Sequence, residues 1–269
     1  MKLRIPKTRA GRVIASLFFV ALLCAIDGFL VEPNWIEVTH HSLTAPVERP
    51  LKIAHLTDLH TKNVGFRERR LLKLLDQEKP DLIVITGDTI SSTGTYEQEA
   101  QLLRELHAPL GVWLVRGNWE NWHTLRNENE FYRANGAHFL LNRSAEVLPN
   151  VWLAGINDTA YAPADIDRAF STVPENAYRI ALFHGPAFFA QSASRYDLAF
   201  AGHSHGGQVR VPFWGPLWLP AGVGPYLHGW FSSGTTWMYV SRGLGTTLLP
   251  IRFACRPELA IVTIQPMAK

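Results

Sequence analysis

From residue 51 onward, short apolar runs alternate with amphipathic stretches. Leu51-Lys-Ile-Ala-His-Leu-Thr57, Leu82-Ile-Val-Ile85 and Gly111-Val-Trp-Leu-Val115 are β-branched-rich and of strand length. Between them lie two segments of helical period. Phe66 to Gln77 sets Leu71, Leu72, Leu74 and Leu75 on one face, and Glu97 to Leu106 keeps Ala100, Leu103 and Leu106 in register. A third helix is expected over Trp122 to Ala134, stopped by Asn135-Gly136. Strand–helix units of about 30 residues predict a parallel sheet. From Val151 the pattern changes to strand-like runs with little helix between them: Val151–Ala154, Arg179–Phe183, Leu198–Ala201, Gln208–Val211, Trp237–Ser241 and Leu259–Ile264. One short helix is expected at Asp165 to Phe170. The pattern predicts an α/β fold, a four-layer α/β/β/α sandwich of two mixed sheets packed face to face and flanked by helices.

The N-terminal region follows another pattern. Val13 to Val31 is apolar apart from Asp27 and, as a helix, spans about 28 Å, close to the hydrocarbon thickness of a bilayer. Lys2, Arg4, Lys7, Arg9 and Arg12 precede its core. No pair of small residues marks a cleavage site near Leu23 to Gly28, and Leu23 before Cys24 does not suit lipoprotein processing. These features predict an uncleaved inner-membrane anchor with the body outside the cytoplasm. The expected organisation is a basic segment (1–12), a transmembrane helix (13–31), a linker with an extended stretch (32–50) and one domain (51–269). Composition changes this little. The net charge of +3 conceals the five N-terminal bases, without which 21 basic residues face 23 acidic ones, so the domain has no excess of base for nucleic acid. Two cysteines, one of them in the apolar helix, do not suggest a disulfide.

Candidate chemistry gathers at the ends of the strands. Asp58, Asp88 and Asn118 are spaced thirty residues apart, and each closes a strand-like run, which places them along one sheet edge. His60, His184, His203 and His205 also follow strand-like runs. Any one of these, a histidine in a loop or a Gly-Asp turn, is ordinarily unremarkable. Together they form a carboxylate, imidazole and amide set without thiolates, suited to divalent metals and sufficient for two ions that share a carboxylate.

In this order, Asp58-x-His60, Gly87-Asp88, Gly117-Asn118, His184 and Gly202-His203-x-His205 resemble the motifs of the calcineurin-like metallophosphoesterases, over about residues 50 to 265. The tail, with Gly206-Gly207-Gln208, Tyr239-Val-Ser-Arg-Gly-Leu-Gly245, Pro250-Ile-Arg-Phe253 and Pro257-Glu258, is similar to bacterial membrane-associated phosphodiesterases related to UDP-2,3-diacylglucosamine pyrophosphohydrolases. The resemblance implies one divalent ion on Asp58, His60, Asp88 and His205, and a second on Asp88, Asn118, His184 and His203, with Mn, Fe, Zn and Mg not distinguished. It further implies in-line attack on phosphorus by a hydroxide shared between the ions. The expected substrate is a phosphodiester or pyrophosphate, lipid-linked or nucleotide-containing, as in lipid A biosynthesis. UDP-linked lipid precursors arise in the cytoplasm, whereas the basic N-terminus puts the domain outside. A C-terminal reporter fusion separates the two.

One position departs from the family pattern. Trp119 stands where a histidine usually protonates the leaving oxygen, and indole carries no titrating proton. Three consequences are open: a leaving group that needs no proton, His123 acting as a stand-in, or a weakly catalytic metal-binding scaffold. A phosphomonoesterase is the other alternative. The aromatic-rich stretch from Pro212 to Trp237 is either a loop packed on its own sheet or a membrane-facing lip. Arg210, Arg242 and Arg252 are candidates for a second phosphate or for structural roles.

Overall fold

The computed structural model describes residues 8–91, 95–158 and 164–267. The first seven residues, including Lys2, Arg4 and Lys7 of the basic segment, lie outside the described residues. The elements in chain order are α1 (Arg9–Ile26), β1 (Glu37–Ala45), β2 (Leu51–Leu56), α2 (Phe66–Glu78), β3 (Leu82–Thr86), α3 (Tyr96–Leu103), β4 (Val112–Val115), α4 (Asn118–Trp122), α5 (Glu128–Ala134), β5 (Ala137–Phe139), β6 (Arg143–Leu148) and β7 (Val151–Gly155). They continue with α6 (Ile166–Phe170), β8 (Tyr178–Leu182), α7 (Phe189–Ser192), β9 (Leu198–Ala201), β10 (Arg210–Val211), β11 (Gly215–Pro216), β12 (Gly229–Ser233), β13 (Thr236–Val240) and β14 (Glu258–Pro266).

Two six-stranded sheets result, in the orders β1-β14-β2-β3-β4-β5 and β12-β13-β9-β8-β7-β6. Strands β2 to β5 are mutually parallel, as are β7, β8, β9 and β13, while β14 and β12 run antiparallel to their neighbours β2 and β13. Period-two alternation sorts the strand residues into layers. In β3, Ile83 and Ile85 face a core shared with α2 and α3, and Leu82 and Val84 face the second sheet. In β8 and β9, Ile180, Leu182, Leu198 and Phe200 meet them across the interior. Ala181, Ala199 and Ala201 turn outward to Phe170, Phe188 and Phe189, where small residues leave room for the rings. The expected two mixed sheets with flanking helices are therefore present.

Three local expectations are corrected. The stretch expected to link the anchor to the domain is, from Glu37 to Ala45, an edge strand paired in parallel with β14 over its full length. The helix expected over Trp122 to Ala134 is broken: His123 leaves helical geometry and Asn127 adopts a left-handed backbone, so α4 and α5 are separate. The second helix ends at Leu103, and the N–H groups of Glu105 and Leu106 bond back only three residues, which tightens the last turn.

Helix α1 is apolar and contains no buried residue. With the turns that follow it, it is long and apolar enough to cross a membrane. Those turns are anchored to the domain. Arg252 N donates to Gly28 O at 2.9 Å, and the Glu32 carboxylate accepts from the backbone N–H groups of Ala254 and Cys255.

Candidate metal centre

Every candidate ligand follows the carboxyl end of a parallel strand: Asp58 and His60 follow β2, Asp88 β3, Asn118 β4, His184 β8, and His203 and His205 β9. Both sheets deliver these ends to one place because they pack with their parallel strands aligned. All seven side chains are buried. Asp58, His60, Asp88, His203 and His205 have positive φ, between 43° and 67°, a conformation costing roughly 1–2 kcal/mol per non-glycine residue. Strain concentrated in this way is typical of functional sites. Glycines allow the close approach. A methyl group on Gly117 would sit 2.2 Å from Asp88 Oδ1, and one on Gly202 would sit 1.9 Å from Thr57 Oγ1.

The side chains form two groups, Asp58–His60–His205 and Asp88–His184–His203, each with its donor atoms within 4.8 Å of one another. Asp88 joins the groups: its Oδ2 lies 3.2 Å from His184 Nε2 and 3.7 Å from His60 Nε2. Its Oδ1 accepts from Trp119 N at 2.9 Å. Asn118 Oδ1 is 3.2 Å from His184 Nε2, which puts it in the second group. All seven predicted ligands are thus brought together.

The ring orientations fit cations. His60 Nδ1 and His184 Nδ1 face the carbonyls of Ile90 (3.0 Å) and Thr86 (2.7 Å), and His203 Nε2 faces that of Ala221 (2.7 Å). An N–H at each of those nitrogens turns the other nitrogen, with its lone pair, into the site. His60 Nε2 then faces His205 Nε2 at 3.3 Å, and His203 Nδ1 faces His184 Nε2 at 3.0 Å. Lone pairs this close repel unless a cation, proton or metal, lies between them. Burial pushes His60 and His203 down to about 3 and His205 well below its ordinary value, so these rings are neutral. His184 is raised well above its usual value: burial opposes its charge, but Asp88 and Asp58 outweigh it. Burial raises Asp88 to about 7 and moves Asp58 upward. The buried Asp58 Oδ1 accepts no well-aligned hydrogen bond. Carboxylates whose charge is disfavoured by burial, beside three neutral imidazoles and a fourth, His184, whose charge they balance, suit two divalent ions that would take the place of the protons.

Sequence reasoning passed over the supporting residues. Glu120 is buried at the start of α4, and its carboxylate accepts from the N–H groups of Gly117 (2.7 Å), Asp88 (2.9 Å) and Thr89 (2.7 Å), binding the β3 and β4 loops together. Thr89 Oγ1 is 2.8 Å from Glu120 and 2.6 Å from Glu99. One hydroxyl proton cannot serve two carboxylates. Burial, together with the charge of Glu120, raises Glu99 to about 8, so Glu99 is protonated at neutral pH. The signal available in sequence was an acid three residues after Gly117, a capping spacing. Arg252 is fully buried, donating to the carbonyls of Gly245 (2.9 Å), Arg242 (2.9 Å), Gly243 and Cys255. Arg242 pairs with Glu37 and Glu258, and Arg210 Nη1 contacts His228 Nε2. Arg242 and Arg252 therefore serve structure.

His123 is exposed, stacked nearly parallel on Trp119 with ring centroids 5.7 Å apart. It is absent from the walls of the cavity over the centre. That cavity, about 270 Å³, is lined by Asp88, Asn118, His203 and His205 together with Trp119, Trp122 and Trp218. An apolar groove of about 320 Å³ adjoins it, sharing His205, Trp218 and Leu248 and extending past Leu217, Leu249 and Ile251.

Such a centre on a two-sheet α/β sandwich defines a metal-dependent phosphoester hydrolase. The sequence profile of the calcineurin-like phosphoesterases matches residues 51–207, and the chain belongs to that family. It is 31% identical to the metallophosphoesterase YkuE of Bacillus subtilis over 87% of each chain. It is 29% identical to a metallophosphoesterase of Aquifex aeolicus over 92% of this chain and 98% of that one. The phosphodiesterase YaeI of Escherichia coli is 28% identical over 87% of this chain and 90% of its own. The family uses two divalent metals, matching the two groups of side chains.

Proposed function

We propose that this chain is a membrane-anchored hydrolase of a phosphodiester or pyrophosphate bond in a lipid-linked or nucleotide-containing substrate, with UDP-2,3-diacylglucosamine as one molecule of that type. The observation that carries this reading is Asp88 Oδ2 set between His60 and His184, with an apolar groove opening beside the centre it joins. Asp58, His60, Asp88 and His205 would hold one ion, and Asp88, Asn118, His184 and His203 the other. Bound there, the ions supply Lewis acidity toward phosphate oxygens and lower the pKa of water. Asn118, being neutral, keeps the site from becoming so negative that phosphate is repelled. The backbone carbonyls at Ile90, Thr86 and Ala221 hold the imidazoles in the tautomer that presents a lone pair inward. Trp119, Trp122 and Trp218 line the cavity, and the groove takes the apolar part of a substrate. A diester or pyrophosphate with a good leaving group needs no acid at position 119, and the named activity of YaeI accords with a diester. The basic N-terminus favours a domain on the extracytoplasmic face; a C-terminal reporter found on that face removes UDP-2,3-diacylglucosamine, a cytoplasmic precursor, from the substrates of this type.

The test uses the full chain in detergent micelles loaded with Mn²⁺, with bis-p-nitrophenyl phosphate and p-nitrophenyl phosphate compared. The diester should turn over faster. A faster monoester reverses the choice in favour of a phosphomonoesterase. No turnover of either with any divalent metal supports a metal-binding scaffold, the reading that Trp119 and the position of His123 favour.

A further inference from the structure

Beyond the metal centre, the most exposed apolar feature of the domain is the tip of the β10–β11 hairpin, where Phe213 is fully exposed and Trp214 85% exposed. Phe213 also has a left-handed backbone, φ 66°, at a position where glycine or asparagine costs less. Packing of the ring does not offset that strain, since Phe213 is fully exposed. Leu217, Trp218, Leu248 and Leu249, on the rim of the groove, are exposed as well. The rest of the aromatic-rich stretch behaves differently: Tyr226 packs against Phe189 and Phe231, and Trp230 against Tyr239. Within the aromatic-rich stretch the strongest apolar exposure is thus at the hairpin and the groove rim, with Trp237 less exposed at 46%.

The hairpin is joined to α1 by backbone contacts. Gly28, just past α1, accepts from Arg252 N and lies against the side chain of Ile251. Phe253 O accepts from Arg210 N at 2.9 Å, and Phe253 N donates to Gln208 O at 3.0 Å, so the segment that receives α1 also holds the first strand of the hairpin. Between Asp197 and Glu258 the chain carries no carboxylate, and Arg210 stays partly accessible, its Nη1 against His228 Nε2. An apolar tip with a tryptophan, beside Arg210 and on a stretch of chain without acids, has the chemistry of an anionic bilayer interface.

We propose that the β10–β11 hairpin and the groove rim dock on the same bilayer that receives α1, holding the mouth of the metal centre against the lipid headgroups. The proposal rests on the proposed function for the placement of α1 in lipid and for a lipid-linked substrate. It explains why the groove is apolar and opens beside the hairpin: a substrate anchored by acyl chains enters without leaving the membrane.

The test uses the full chain in nanodiscs of phosphatidylethanolamine and phosphatidylglycerol, with Cys24→Ser as background. Spin labels are placed one at a time at Phe213→Cys, at Leu17→Cys on α1 and at Glu175→Cys, which lies beyond the amino end of β8 and so opposite the metal centre. Relaxation by oxygen is compared with relaxation by a water-soluble nickel chelate. Labels at 213 and 17 should favour oxygen, and the label at 175 nickel. A label at 213 that behaves like the one at 175 while 17 favours oxygen overturns the docking and leaves the anchor standing. If 17 also favours nickel, docking and anchor fail together. The hydrolytic reading is judged separately, by the soluble diester.

Discussion

At the scale of single residues, Asp88 and Trp119 carry the most consequence. Asp88 Oδ2 lies within 3.7 Å of an imidazole in each group, whereas Asp58 Oδ1 is 3.3 Å from His205 but 4.0 Å from His184. Asp88→Ala should therefore lower bound metal from two ions per chain to none, read by elemental analysis of the purified protein. One ion retained at full occupancy would count against the shared position. Trp119 lies edge-on to His60 at 5.6 Å and on the cavity wall, at the position where the family pattern has a histidine. Trp119→His should leave turnover of a p-nitrophenyl diester within about threefold and raise that of an alkyl diester by about 10²–10⁴, the usual range for a general acid. Equal gains for both leaving groups would remove the protonation argument. The seven ligands were legible in the sequence because each closes a strand-like run and carries a metal-binding group. Glu120 and Glu99 were not, because a buried acid binding two loops resembles an ordinary helix-surface glutamate until the loops meet.

At the scale of elements, two carboxylates couple strands and loops. Glu120 joins the β3 and β4 loops, so Glu120→Gln should keep the fold and weaken metal binding by about 10–100-fold, measured by titration calorimetry. Glu258, on β14, accepts from Thr39 of β1 and Tyr239 of β13 and pairs with Arg242. Burial works against its charge, yet Arg242 and these hydrogen bonds bring it down to about 2. A depressed acid contributes stability above its unfolded pKa and loses it as pH falls toward the folded value. Between pH 7 and pH 3 this group should cost the wild type on the order of 2 kcal/mol, a loss absent in Glu258→Gln. Parallel denaturation curves for the two proteins across that range would contradict it. The break in the helix expected over Trp122 to Ala134 traces to backbone geometry at His123 and Asn127, and the early end of the second helix to a tightened turn after Leu103; apolar periodicity encodes neither.

At the scale of the molecule, β1 closes the first sheet by covering the edge of β14, and the segment before it ties α1 to the loop beside the groove. A chain beginning at Glu32 should remain soluble and unfold cooperatively. One beginning at Val47 should aggregate, because the nine-residue edge of β14 is then bare. Size-exclusion chromatography and thermal unfolding check both. By itself the sequence determined the alternating strands and helices, the apolar N-terminal helix and the set of metal-binding side chains, since these depend on periodicity and on residue chemistry close along the chain. Tertiary structure alone decided that Glu37–Ala45 is a strand, that Glu120 and Glu99 brace the centre, that His123 stands outside the cavity and that the groove reaches the hairpin. Those features arise from contacts between residues far apart in the chain, where no local pattern announces the partner.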